Sequence, residues 1–324
     1  MRIPLPLLLA LVAASTGGAA TFTEDFSSDP RQNGWQIFGD TNLFQWDSTN
    51  GNLDVTWDSS QTNSYFYHPL GTILARDDSF HLNFDLTFQD YASGTTPGKA
   101  FDFEAAIGFL NPANATQTNF SRGAGVNKTY GPDNLVEFAF FPAFSIYQPT
   151  ISQVIVSTNN AWLYNNSNQR DMTPGQWFHV EMDYNGAART LTTVVTNNGV
   201  QYGMTQTILV PTNFDFRVAA VSVNSYSDQN ATGSILAHGT VDNFVVTVSS
   251  PPVQNFVGDF TNGVWQAQFL SSNSNWLYTL QRSADFQSWT NVSPTTPGNA
   301  TNLFVQDTNP PVDKAFYRME AQRP

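Results

Sequence analysis

Residues Ser79–Gln89 alternate without a break: Phe80, Leu82, Phe84, Leu86 and Phe88 fall on one face, His81, Asn83, Asp85 and Thr87 on the other. A period of two marks a half-buried antiparallel strand, because a helix would scatter these side chains around its axis. The pattern recurs at Leu53, Val55 and Trp57, at Phe101, Phe103, Ala105, Ile107 and Phe109, and at Phe178, Val180, Met182 and Tyr184, and Val241–Val248 adds a β-branched run. Asn185-Gly186 and Asn198-Gly199 are dipeptides that accept positive φ and so close tight hairpins. No stretch sustains a helical period, and the good helix formers are not clustered. The expected fold is all-β, a large antiparallel jelly-roll sandwich followed by a small fibronectin-type-like sandwich.

The two parts meet at Ser249-Ser250-Pro251-Pro252, where consecutive prolines cannot continue a sheet ladder. At the N-terminus, Arg2, the apolar run Leu5–Ala14 and the small residues Gly18, Ala19 and Ala20 have the layout of a signal peptide cleaved after Ala20. The apolar run is too short for a stable membrane span. These signals divide the chain into a signal peptide at 1–20, a large sandwich at 21–249, a Pro-rich linker at 250–256 and a small module at 257–324. The expected location is secreted, extracellular or at the cell surface.

Composition narrows the partners. Thirteen Lys+Arg against 26 Asp+Glu leave a net charge of −13, and no basic run offers itself to phosphates, so nucleic acid and anionic membrane are disfavoured. Charged residues are only 12 % of the chain, so neutral Asn, Thr, Ser and Gln must carry its solubility. With no cysteine there is no disulfide, thiolate metal site or cysteine nucleophile. Seven Asn-x-Ser/Thr triplets, among them those at Asn114, Asn119 and Asn127, are what chance gives in a chain this rich in Asn and Thr. His68, His81, His179 and His238 are scattered, with no two at metal-ligand spacing.

The large part resembles the concanavalin A-like lectin/glucanase jelly roll, in the laminin-G-like branch found in bacterial secreted proteins. The likeness spans roughly residues 21–249 and is carried by the order of four stretches: Glu24-Asp25-Phe26 with Asn33-Gly34-Trp35, Gln176–Tyr184, Asn197-Asn198-Gly199, and Gly239-Thr240-Val241-Asp242-Asn243-Phe244. The small part resembles a C-terminal module of bacterial secreted and surface proteins, through Tyr278–Phe286, Trp289, Asp307 and Phe316-Tyr317-Arg318. Such modules serve as spacers or attachments.

Three sets of residues are candidates for chemistry. Glu24 shares a strand face with Phe22 and Phe26, and alternation puts Asp242 on the face of Phe244, Val246 and Val248. A carboxylate turned toward an apolar side needs a cation or several N–H donors. The family resemblance implies structural calcium between the terminal strands, and hydrogen bonding to backbone amides or water is the other reading. Asp102 and Glu104 alternate on the far side of the Phe101–Phe109 stripe, and Glu137 could join them from a neighbouring strand. Glycosidases need two carboxylates across the scissile bond, but Ala100 stands where the related glucanases carry the first of three alternating acids. The favoured reading leaves Asp102, Glu104 and Glu137 as solvated residues of a polar sheet face. Trp162 and Tyr164 share a face and lead into Asn165 and Asn166, a pairing of rings and amides suited to carbohydrate, with burial in the core as the alternative fate of the rings. Tyr65 and Tyr67 share a face in the same way and read as core.

The expected function is non-catalytic carbohydrate binding or adhesion, with polysaccharide or glycan as partner and calcium as a structural brace. The alternatives are a glycoside hydrolase or polysaccharide lyase on an extracellular polysaccharide, and a structural surface protein without a small ligand.

Overall fold

The computed structural model describes residues 20–122, 133–248, 253–270, 272–274, 276–299, 301–312 and 314–323. The signal peptide expected at 1–20 lies outside these residues up to position 19, as do Ser249, the last residue of the expected large sandwich, and 250–252 of the expected linker. Chain contacts group the described residues into two compact units, one ending at Val248 and one beginning at Val253. A strand already starts at Gln254, inside the stretch 250–256 read as linker. Among the described residues no helix is long and apolar enough to cross a membrane.

The large unit is a sandwich of two antiparallel sheets. Its strands are β1 (Ala20–Glu24), β2 (Gln36–Phe38), β3 (Phe44–Asp47), β4 (Asn52–Asp58), β5 (Ser64–Ala75), β6 (Phe80–Ser93), β7 (Ala105–Leu110), β8 (Leu135–Phe141), β9 (Thr150–Val156), β10 (Trp162–Asn168), β11 (Trp177–Asn185), β12 (Thr190–Asn197), β13 (Val200–Gln201), β14 (Gln206–Leu209), β15 (Arg217–Ser225) and β16 (Ile235–Val248). One sheet has nine strands in the order β13-β12-β11-β6-β16-β4-β3, with β1 added on β16 and β14 on β12. The other has seven, in the order β10-β9-β8-β7-β15-β5-β2. Sequence-distant neighbours such as β6 and β16 mark the crossovers of a jelly roll, and helix is confined to single turns such as α1 (Pro112–Ala115).

The inner faces meet through aromatic rings. Phe84 of β6 packs edge-on against Phe138 of β8 at 5.7 Å, and Phe88 against Phe140 at 5.1 Å. Phe80, Leu82, Phe84, Leu86 and Phe88 are all buried, as the alternation requires. Trp35 stacks on Phe66 at 4.7 Å and closes the core beside Phe26 and Phe244. On the outer face of the nine-stranded sheet, three histidines each meet an aspartate across the strands: His81 with Asp183 at 2.7 Å, His179 with Asp85 at 2.6 Å and His238 with Asp90 at 2.7 Å. Their scatter in sequence becomes a row of cross-strand pairs.

The small unit holds β17 (Gln254–Thr261), β18 (Val264–Leu270), β19 (Leu277–Ser283), β20 (Thr290–Asn291), β21 (Thr296–Pro297), β22 (Leu303–Asp307) and β23 (Phe316–Gln322). They form a three-stranded sheet β17-β18-β22 and a second sheet in which β20, β21 and β23 all pair with β19. Phe269 meets Tyr278 at 4.8 Å and Trp265 stacks on Tyr317 at 3.8 Å, so rings from the two sheets form its core.

Candidate functional site

Alternation along β8 turns Phe138 and Phe140 into the sandwich and leaves Glu137, Ala139 and Phe141 on the outer face of the seven-stranded sheet. Their partners on β9 are Val154, Ser152 and Thr150, and Val154 in turn faces Tyr164 of β10. On β10, Trp162 and Tyr164 share this face. The strand then slips register between Asn165 and Asn168, and Asn166 follows the rings, its side-chain oxygen accepting from Ser152 Oγ at 2.5 Å. A groove of about 410 Å³ opens here. Its rings are Trp162, Tyr164, Tyr147 and Phe141, its amides Gln148, Asn166 and Gln169, and its charged residues Asp102 and Arg122. Trp162 is half-buried and Tyr164 is 54 % exposed, so the core fate allowed for both does not hold. Tyr65, by contrast, is buried as expected, between Phe38, Phe120 and Tyr226. Asn165 turns away from the groove and donates to Thr207 O at 3.1 Å.

Behind the groove lies a buried charge cluster. Arg122 reaches Glu104 Oε1 from Nη1 at 3.1 Å and donates from Nε to Glu137 Oε2 at 3.1 Å. Its guanidinium lies 4.6 Å from the centre of the Trp162 ring and 5.8 Å from that of Tyr226, so it supports the indole from below by cation–π contact. Asn224 Nδ2, at 3.0 Å, and the Tyr226 hydroxyl both donate to Glu137 Oε1. Glu104 and Glu137 are therefore not solvated residues of a polar face: segments on the outer side cover β7 and β8 there, and both carboxyls are shut from solvent with one cation between them.

Glu104 is the weaker partner. Neither of its oxygens accepts a well-directed hydrogen bond despite the nearby guanidinium, and burial pushes its pKa up to about 7, against the pull of Arg122. The folded state thus holds a proton that the unfolded chain has released between about pH 4.5 and pH 7, and stability should fall as pH rises through that window. Glu104→Gln should flatten this slope. Thermal midpoints at either end of the window test it, and an unchanged slope in the variant would contradict the assignment.

Asp102 is held differently. The expected strand over Phe101–Phe109 begins only at Ala105, and the preceding arm is pinned to Thr232–Ser234 by Phe101 N donating to Thr232 O at 3.3 Å and Ser234 N donating to Phe101 O at 3.0 Å. Phe101 is consequently exposed, against Phe144, and not part of the buried stripe. A Cβ on Gly233 would come within 1.8 Å of Asp102 O, so only glycine allows this approach. Gly233→Ala should displace the arm and with it Asp102, read as weakened ligand binding with the large unit still folded. Undiminished binding would show that Asp102 keeps its place without the close approach. Asp102 is the one carboxylate among the described groove residues, whereas hydrolysis by an acid–base pair needs two across the bond.

The two calcium candidates, Glu24 and Asp242, stand on strands that pair, and each oxygen set is held differently. Glu24 is buried on the face of Phe26 as expected, and β1 does pair with β16, but its oxygens accept from Phe26 N at 2.9 Å and Asn33 Nδ2 at 3.0 Å. Asp242 lies on the opposite face from the one alternation predicted. A bulge between Asp242 and Val245, with Asn243 at φ 51°, slips the register by one, so Val241 and Phe244 point inward while Asp242 sits opposite Asp85. Burial and the nearby carboxylates Asp85, Asp25 and Glu24 raise its pKa to about 6. Among the described residues no group of three or more His, Asp or Glu side chains is placed to hold a metal ion.

Sequence reasoning missed Arg122, Tyr147, Gln148 and Ser152, while Gln169 belongs to the amide-rich loop that follows Trp162 and Tyr164. Arg122 lies outside the strands, where no periodicity marks it, and Tyr147 and Gln148 belong to the turn between β8 and β9.

No protein-family model matches the sequence, and no curated protein matches it. Solved structures similar to the chain are lectin-like. Peanut lectin in complex with a nine-residue peptide is 18 % identical, with 72 % of this chain and all of that one covered, at a TM-score of 0.45. Winged bean acidic lectin in complex with methyl-α-D-galactose is 16 % identical over 72 % of this chain and all of that one, at 0.44. A legume lectin-like domain from Entamoeba histolytica is 10 % identical over 68 % and 95 %, at 0.40. The architecture itself is read from the two sheets described above.

Proposed function

We propose that the protein is a secreted carbohydrate-binding protein that takes a glycan into the groove on the outer face of the seven-stranded sheet. The observation that carries this reading is the groove's make-up: the exposed ring of Tyr164 and the half-buried ring of Trp162, the latter braced by Arg122, beside the neutral polar groups of Gln148, Thr150, Ser152, Asn166 and Gln169. Sugars present C–H faces that stack on rings and hydroxyls that need amides and other hydroxyls, and concave sites of this size and mixture are where small ligands bind. Secretion rests on the signal-peptide layout of residues 1–20. The small unit is proposed as the attachment module that carries the binding unit to a cell surface or matrix. Calcium is not needed for the reading, since the groove contains its own polar groups.

The test is a panel of insoluble and soluble polysaccharides against the full chain. Retention of the protein on at least one of them, competed by the matching soluble oligosaccharide, is expected. Failure to retain on any member would remove the reading and leave the structural alternative.

A further inference from the structure

The groove contains two charged side chains that are not equivalent. Arg122 lies fully buried between Glu104 and Glu137, so its charge is already matched inside the cluster. Asp102 is half-buried at the groove, where burial raises its pKa and only its own backbone works against that; among the described residues no cation pairs with it. Among the described residues the remaining polar lining, Gln148, Asn166 and Gln169 included, is neutral. A ligand in this groove therefore meets the negative charge of Asp102 at short range and the field of a −13 chain at long range.

We propose that the groove selects glycans by charge, preferring amino sugars whose free ammonium pairs with Asp102 over their uncharged N-acetylated counterparts and rejecting polyuronates. This rests on the glycan-binding reading of the same groove. The rings supply stacking common to all three classes, and Asp102 supplies the discrimination. A half-buried carboxylate gains most from a partner that brings a matching charge and excludes water, whereas a uronate would place a second carboxylate beside it.

The experiment is titration calorimetry of the full chain with three soluble oligosaccharides of equal length: a glucosamine oligomer, the same oligomer fully N-acetylated, and an oligogalacturonate. The pH is set mildly acidic so that the amines hold their protons. The expected order is glucosamine over N-acetylglucosamine by about tenfold, or ~1.4 kcal/mol, with no binding of the uronate. Raising the salt should narrow the gap in the unmodified protein, and Asp102→Asn should bring the affinity ratio close to one. Equal affinity for the charged and N-acetylated oligomers, or measurable uronate binding, overturns the charge selection and leaves the groove reading intact. Binding to neutral panel polysaccharides with none to the glucosamine oligomer does the same. No binding of any of the three, with nothing retained on the wider panel, overturns both.

Discussion

Arg122→Met is expected to destabilise the large unit by about 3–5 kcal/mol, the usual cost of removing one partner from a buried ion pair and leaving the other uncompensated. At about 2–4 °C per kcal/mol for a unit of this size, the thermal midpoint should drop by roughly 6–20 °C. The loss follows from the cluster's composition. Glu104 and Glu137 both lean on the single guanidinium and neither is open to water, so its removal leaves two carboxyls facing each other in a low dielectric. One of them must then hold a proton. Protonation is easy in acid and difficult in base, so the loss should be larger above pH 7 than near pH 5, the same sign as the Glu104 slope. Adding Glu104→Gln and Glu137→Gln to Arg122→Met should recover much of the lost midpoint, because the two carboxyls left without their cation are then replaced by neutral amides. Calorimetric scans of the three proteins check this. A loss under about 1 kcal/mol, typical of an exposed pair, would mean that Arg122 is not enclosed.

Neighbouring phenylalanines on β8 provide the second large contrast. Phe138→Ala should cost about 3–5 kcal/mol, since the ring is fully buried against Phe84 and its removal leaves a cavity in a close-packed core. Phe141→Ala, three positions on and on the opposite face, should cost far less in stability and instead weaken ligand affinity, because its ring lines the groove. Urea unfolding and ligand titration of both variants separate the two effects. Similar stability losses for the pair would show that the inward and outward sides of β8 are wrongly assigned, and the groove with them.

The legible part of this fold was whatever a period of two could encode. The buried stripe from Phe80 to Phe88 and the hairpin at Asn198-Gly199, where both residues take positive φ, stand where alternation and turn chemistry put them. Alternation failed where the chain breaks its own period. At Asn243 one residue in the left-handed region turns Asp242 to the other face, and nothing local in Val241–Val248 announces the bulge. At Phe101–Glu104 the ladder is replaced by bonds to Thr232 and Ser234, a partner some 130 positions away. The Glu104–Arg122–Glu137 cluster was hidden for a related reason. β7 and β8 are buried on both faces, so a polar residue on the outer face is not a solvated one. The rings of the groove were visible as Trp162 and Tyr164, and the slip between Asn165 and Asn168 decided which amide follows them.

The measurement that bears most directly on the central claim is calorimetric titration of the tightest-binding panel glycan into the unmodified protein and into Trp162→Ala, with thermal midpoints measured alongside. The account predicts that Trp162→Ala loses at least about tenfold in affinity, some 1.4 kcal/mol, consistent with the loss of a stacking ring, while its midpoint moves little compared with that of Arg122→Met. Unchanged affinity in a folded Trp162→Ala would place the glycan elsewhere on the molecule and contradict the assignment of this groove.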